Sequence, residues 1–532
     1  MSDSPAASRW ARLSHIVFFA VLVFVTAFQA PISDPAPDAF HEGEYAMYGV
    51  QGGHIPSGRA LVLTHGGIDL IPARIASKLC PTDGQIVCVR GVNATFTFIC
   101  EAVFLIVLVL ITGLGTLRAI VAGFPAMTTL IAYNGSARSA FTLQTGSPNL
   151  RELFILLMLG CLFLLFRDEQ RMTSRTRYLL VAATGFLSGL GIFWIFNRGE
   201  FGTLLLAGTT VGLARLWRDW RPLPIAAAAW FAGVGLGGIT GVYGGLASNF
   251  ANMWYFQWDT TVYAMPFDVV AAAGPTIPVY AVLIGWAVIR IWLDLRADEH
   301  RSALPLLTLV GVLLFYGYQV HERPFAGYVA HVLWGLSLLF AVLFFRTTRQ
   351  PATGSRLAAL TVVSVAVSIG CAMLNARYMP PNPSQVARNL ARNARAAFVK
   401  APRDTDLVAD GMRQAAAIIR ARSPACTYAF SNEGLLYVLS NTPPCSRFAY
   451  PFYVGPDRQA DAIADFEQSD PPIVLWASST WSDAIFNRGL ESRTPALAAW
   501  ASAHFPYRLT LPGGYELRAR EPFDPAPTKV AR

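Results

Sequence analysis

Charge is scarce in this chain. Asp, Glu, Lys and Arg make up 14% of its 532 residues, while 54% are hydrophobic. A soluble domain carries about 25% charge, so an ordinary water-soluble globule is excluded. Cysteine is also sparse, with seven residues, and no CxxC or HxxxH spacing occurs. A structural zinc site is therefore not expected. No P-loop or Rossmann glycine pattern opens a helix after a strand. The nearest candidate, GVGLGG at 233–238, lies inside an apolar run and reads as helix packing. No nucleotide or other cofactor is implied. The net charge of +9 is modest and mostly arginine, which suits orientation in a membrane better than nucleic acid.

Long apolar runs are abundant, and mean hydropathy is +0.41. Candidate spans cover 13–30, 95–117, 119–132, 151–166, 178–196, 202–215, 223–243, 276–293, 304–319, 327–345 and 357–374. The first follows Arg9 and Arg12 and reads as an uncleaved signal anchor, since FQAP is a poor cleavage site. The eleven spans alternate well with charge. With the N-terminus inside, Arg118 and the segments 167–177, 215–221, 290–301 and 346–356 fall inside, and all carry arginine. The short outer loops 197–201 and 320–326 carry little. Dropping one span would put arginine-rich loops on the wrong side. The fold class expected is a polytopic α-helical membrane protein with about 11 transmembrane helices, in the cytoplasmic (inner) membrane of a bacterium.

Three outer segments are long: 31–94, the aromatic-rich 244–275, and the tail 375–532. The chain thus divides into a membrane module, 1–374, whose first outer loop is 31–94, and a small extracytoplasmic (periplasmic) α/β domain, 375–532. In the tail, the run 384–422 is helical in pattern. CTYAF (426–430), IVLWAS (473–478) and YRLTL (507–511) are strand-like, with 457–468 helical between them. NEGLLYVL (432–439) has the pattern of an amphipathic helix rather than a site. Cys80 and Cys88 lie in the first outer loop, and Cys426 and Cys445 in the tail. Two pairs on the oxidising side form a disulfide pattern; the alternative is four unrelated thiols.

Polar residues gather at the outer ends of the spans. The first loop carries Asp34, Asp38, His41, Glu42, Glu44, His54, Arg59, His65 and Asp69. Arg198 and Glu200 follow the fifth span, and His321, Glu322, Arg323 and His331 follow the ninth. Charge inside a bilayer is costly, so such clusters mark function or snorkel to an edge. Carboxylates here could deprotonate a hydroxyl, and arginines could hold a phosphate by paired hydrogen bonds. Plainer roles stand beside these. Arg198 and Glu200 could form a helix-end ion pair, His331 could pack, and Glu42 and Glu44 could complement a helix N-terminus.

HEGEY (41–45), GGHIPSGRALVLTHGGIDLIP (52–72), RGEFG (198–202), Arg323 followed by His331, and 430–453 come in a familiar order. The chain resembles the GT-C class of polyprenyl-phosphate-sugar-dependent membrane glycosyltransferases, near the protein O-mannosyltransferase-like group. That family shows D-E-x-x-Y in the first loop, then G-x-x-P-Y-x-D, H-G-P and R-x-D-x-G. Glu42 and Tyr45 match their positions. His41 stands where the family places its presumed catalytic aspartate, Ser57 replaces a tyrosine, and HGG (65–67) replaces HGP. The resemblance implies a base among Glu42, Asp38, Asp34 and Glu44, with His41 also open. It implies donor-phosphate contacts from Arg198, Arg323, His331 and Arg59. Tyr45, His65, Glu200 and His321 would complete the outer polar set. The partners implied are a polyprenyl-phosphate-linked sugar, a glycan, lipid or protein acceptor, and membrane lipids. No metal and no nucleic acid is implied.

Two other classes remain. An O-antigen polymerase or ligase acting on diphosphate-linked glycans has a similar span count, but concentrates function in a large late loop. A non-enzymatic lipid or glycan transporter would place ionisable groups near midspan, with broken helices. Here the acidic residues lie in the first loop and the charges at span ends.

Overall fold

The computed structural model describes residues 66–79, 85–112, 151–168, 171–239, 276–322, 383–398, 403–431, 434–477 and 494–523. Isolated positions, such as Val21, Ile55, Leu61, Val62 and several between 332 and 343, are described as well. The described residues fall into two compact units. One takes those within 1–31, 93–237 and 266–394, the other those within 32–92, 238–265 and 395–532.

Eight helices run through the first part of the described chain: α1 (Gly67–Leu79), α2 (Gln85–Thr112), α3 (Leu153–Asp168), α4 (Ser174–Trp194), α5 (Phe196–Trp217), α6 (Pro222–Ile239), α7 (Thr276–Arg296) and α8 (His300–Glu322). Three of them, Ser174–Trp194, Pro222–Ile239 and the His300–Gln319 stretch of α8, are long and apolar enough to cross a membrane; Leu153–Phe166 is a shorter apolar helix. Large apolar side chains also point away from the protein. Leu204, Phe231, Ile239, Val282, Ile289 and Leu314 are all more than half exposed. In water such a surface would aggregate; against lipid tails it costs nothing. The expected spans at 119–132 and 357–374 lie outside the described residues, as does 13–30 apart from Val21. Of 327–345, the described positions Val332, Leu336, Leu339, Val342 and Leu343 are helical and buried.

Most of the interior packing is apolar. Phe104, Leu156, Leu159, Leu309, Leu313 and Tyr316 belong to one buried cluster spanning α2, α3 and α8. Where helices must come closer, small residues allow it. A Cβ on Gly233 would lie 2.3 Å from the Phe186 carbonyl oxygen of α4. One on Gly185 would lie 2.4 Å from that of Ala226 in α6. The GVGLGG stretch is thus a helix-packing surface, as its apolar setting suggests.

Within 31–94, α1 and the first turns of α2, from Gln85, are helical. One boundary differs from expectation. Residues 197–201, expected as a loop, are the first turns of α5. Ile195, in an extended conformation (φ −149°, ψ 123°), alone separates α4 from α5. At the other end of α5, Arg218 adopts a left-handed conformation (φ 53°), and three residues lead into α6. There the Tyr178 hydroxyl donates to Asp219. That bond and the Arg221 backbone N–H hold the Asp219 carboxyl below its ordinary range.

The tail carries α9 (Pro383–Phe398), α10 (Asp410–Arg422), α11 (Leu435–Ser440), α12 (Gln459–Ser469) and α13 (Pro495–His504), with β1 (Ile473–Ala477), β2 (Tyr507–Leu511) and β3 (Tyr515–Ala519). The continuous helical pattern over 384–422 is in fact two helices. Pro402 lies between them, and proline cannot continue a helical ladder. The sheet has the order β1-β3-β2 and is antiparallel throughout. A Pro512–Gly514 turn, with Gly513 at φ 75° and Gly514 at φ 82°, joins β2 to β3. CTYAF forms no regular strand. It joins the sheet through single parallel bridges, Ala429 with Leu475 and Thr427 with Pro444. NEGLLYVL is not an amphipathic surface helix either: α11 covers only 435–440, and Leu435, Leu436, Tyr437 and Leu439 are all buried.

Two devices fix the segment after Pro444. A disulfide joins Cys426 to Cys445. Asp465, fully buried, accepts the Arg447 backbone N–H at 2.9 Å, and the Arg447 guanidinium grips both its oxygens at 2.9 and 2.8 Å. This bidentate contact holds the guanidinium pKa above its ordinary value. Cys88 is also disulfide-bonded, while Cys80 lies outside the described residues. Cys100 and Cys161 are free thiols.

Candidate functional site

The strongest polar centre in the described helices forms around Arg198, in the first turn of α5. The residue is 2% exposed. Its Nε donates to Glu152 Oε1 at 2.6 Å, and its Nη1 donates to Gln319 Oε1. Glu152 directly precedes α3, and Gln319 lies in the last turn of α8. Three helix ends that the arginine distribution expects on one side therefore meet at one guanidinium. The Arg198 Cζ also sits 5.3 Å from the Phe315 ring centroid and 5.7 Å from that of Tyr316. Phe315 in turn stacks on Phe201 at 4.2 Å, nearly parallel.

Local sequence explains how Arg198 reaches this point. The one-residue break at Ile195 folds α5 straight back along α4. A Cβ on Gly199 would come within 2.3 Å of the Ile192 Cα, so only glycine permits that approach. In RGEFG, the first glycine thus serves helix packing, while the arginine serves the polar centre.

Two guanidinium groups, Arg151 and Arg198, act on the Glu152 carboxylate, so these three charges sum to +1. The Tyr316 hydroxyl faces the same carboxylate. Arg198 Nη2 is buried and has no hydrogen-bond partner among the described residues. A buried donor left unspent is costly, which makes an incoming anionic oxygen favourable there. The centre can therefore orient and neutralise an anion.

Of the other expected site residues, Glu200 is half-buried in α5 and does not pair with Arg198, whose partner is Glu152. His321 and Glu322 end α8, with side chains outside the described residues. Asp34, Asp38, His41, Glu42, Glu44, Tyr45, Arg59, His65, Arg323 and His331 lie outside the described residues too. Among the described residues, no group of three His, Cys, Asp or Glu side chains gathers as a metal site would require. Sequence reasoning missed Glu152, Gln319 and Tyr316. The charged pair Arg151–Glu152 opening an apolar run was the one available signal for the first.

No protein-family model and no curated protein sequence matches the chain. Among solved structures, the fold is similar to ArnT from Cupriavidus metallidurans bound to undecaprenyl phosphate, with TM-score 0.50, 12% identity, and coverage of 97% of this chain and 98% of that one. It is similar as well to the Archaeoglobus fulgidus oligosaccharyltransferase in complex with zinc and sulfate, with TM-score 0.50, 12% identity, and coverage of 95% and 73%. At this identity the likeness concerns architecture alone, and in architecture the chain is a membrane protein with the GT-C glycosyltransferase fold.

Proposed function

We propose that this chain transfers a sugar from a polyprenyl-phosphate donor to a lipid, glycan or protein acceptor at the outer face of a bacterial cytoplasmic membrane. The N-terminus faces the cytoplasm, and the tail from 375 onward faces outward. The observation that carries the reading is Arg198, a buried guanidinium with one N–H edge unspent, at a meeting point of helix ends in a GT-C fold.

In the reaction, an acceptor oxygen attacks the anomeric carbon from the face opposite the lipid phosphate. The new C–O bond forms as the sugar–phosphate C–O bond breaks, so the configuration inverts. The bonding pair leaves on the phosphate. Arg198 meets that developing charge, with Arg323, His331 and Arg59 as further contacts. The acceptor's proton passes to a first-loop carboxylate, Glu42, Asp38, Asp34 or Glu44, or to His41. The donor is lipid-borne, which explains why so much polar chemistry stands beside a hydrophobic segment.

The test uses the purified full chain with radiolabelled polyprenyl-phosphate sugars and a membrane lipid extract. Transfer of label by the wild type, lost in one folded variant among Asp34→Ala, Asp38→Ala, Glu42→Ala and Glu44→Ala, is the expected result. Turnover of diphosphate-linked oligosaccharides instead would identify a polymerase or ligase.

A further inference from the structure

Beyond the three-stranded sheet of the tail, a series of single bridges leads from β1 to the first outer loop. From β1, pairing passes to Ala429, which bridges Leu475, and Phe430 N–H donates to the Leu475 carbonyl at 2.8 Å. Thr427 then bridges Pro444, with the Cys445 N–H donating to the Thr427 carbonyl at 3.0 Å. The next partner is Val62, from the first outer loop. It bridges Phe448 in parallel, and its N–H donates to the Arg447 carbonyl at 2.8 Å. Beside it, Leu61 is 1% exposed and Ile55 3%. The first loop thus pairs by one bridge with the segment 444–448, which is itself bridged to β1 through 427–430.

The receiving segment is held with unusual care. Arg447 accepts Val62 with its carbonyl while both its backbone N–H and its guanidinium are tied to Asp465. Ser446 Oγ donates to the same carboxylate at 3.2 Å. The disulfide to Cys426 anchors the segment two residues earlier. These contacts lie outside the pairing of β1, β2 and β3, which is complete in its own register. Val62 stands three residues before His65 and twenty after Glu42.

We propose that the tail is a positioning element for the reaction: it seats the first outer loop through the Val62–Arg447 pairing, with Asp465 and Arg447 as positioning residues. This rests on the transferase reading, in which the loop carries the base. A base displaced by about 1 Å costs on the order of a hundredfold in rate. Loosening the seat therefore lowers kcat and leaves donor KM nearly unchanged.

The test compares Val62→Pro, which removes the donating N–H, with Val62→Ala, which keeps it. Asp465→Asn serves as a second, independent variant. Each is measured as the full chain by amide hydrogen exchange and by kcat and KM for the donor. Val62→Pro and Asp465→Asn should raise exchange in peptides covering 61–62 by about tenfold or more, with β1 and β3 still protected. Both should lower kcat by about tenfold or more, and Val62→Ala should stay near wild type. The proposal is overturned if exchange rises while kcat holds, if exchange does not rise, or if Val62→Ala is as damaging as Val62→Pro. A wild type that uses no polyprenyl-phosphate sugar would sink the transferase reading and the positioning role together. The exchange measurement would still decide whether the strand pairing exists.

Discussion

Arg198 and Glu152 form an ion pair at 2.6 Å across 46 residues of sequence, and both are buried. Such a pair is tolerated because each charge satisfies the other; removing one partner strands the second. Glu152→Ala should therefore destabilise the protein strongly, by about 3–5 kcal/mol on the scale of buried pairs in soluble proteins. The double variant Glu152→Leu with Arg198→Met removes both charges at similar volume and should recover much of that loss. Thermal unfolding in detergent measures this. If the proposed chemistry holds, the recovered double variant still transfers no sugar. Arg198→Lys, with no fork to reach two acceptors, should lower transfer by about 10²–10³-fold.

The glycines of GVGLGG are not equivalent. A Cβ on Gly233 would collide with the α4 backbone, at Phe186, whereas one on Gly235 meets nothing within 4 Å. Gly233→Ala should lower the melting temperature by several degrees, because backbone cannot yield as a side-chain tip can. Gly235→Ala should leave it unchanged or raise it slightly, since alanine also favours helix by about 1 kcal/mol. Equal effects of the two substitutions would show that α4 and α6 do not pack in this way.

Much of the membrane module was legible because its signals are local. Apolar runs set helices within a few residues at 151–166 and 178–196. FNRGEFG misled for a physical reason. Its polar residues resemble a loop, but Arg198 finds its partners in Glu152, 46 residues away, and Gln319, 121 away. No local pattern announces such partners. In the tail, the strand Tyr515–Ala519 was missed because Glu516 and Arg518 break up its apolar look. Leu517 and Ala519 are fully buried, and Arg518 lies over the Trp476 ring at 3.5 Å. The Pro-Gly-Gly preceding it was the usable hairpin signal. CTYAF had the composition of a strand, but its partners Leu475 and Pro444 take one residue each. The candidate base residues of the first loop lie outside the described residues, so for them the sequence motif remains the argument.

The Cys426–Cys445 bond closes a loop with a sequence separation of 19 residues. On the chain-entropy account, a loop of that size stabilises by about 3 kcal/mol. Cys426→Ser with Cys445→Ser should lower the unfolding temperature of the tail while leaving the membrane helices folded. Helical signal that persists after the tail melts would confirm the separation. The same variant should raise exchange at 61–62, because the segment that receives Val62 begins at Cys445.

Tyr437 makes the tail sensitive to alkali. Its buried hydroxyl accepts the Ala429 N–H at 3.0 Å and donates to the Ala449 carbonyl at 2.8 Å. Burial pushes the phenol well above its ordinary value of 10.0. In the unfolded chain it ionises near that ordinary value, so the folded state binds the proton more tightly. The stability this supplies is complete below about pH 10 and declines as pH rises toward the raised folded value. Tyr437→Phe removes the titrating group, but leaves the Ala429 N–H and the Ala449 carbonyl buried without their partner. Each orphaned group costs about 1–3 kcal/mol. The variant should therefore unfold earlier than wild type at about pH 8, yet lose less on going to about pH 11. Thermal melts of the tail at the two pH values measure both terms. Parallel declines in the two proteins would assign the alkaline sensitivity to another group.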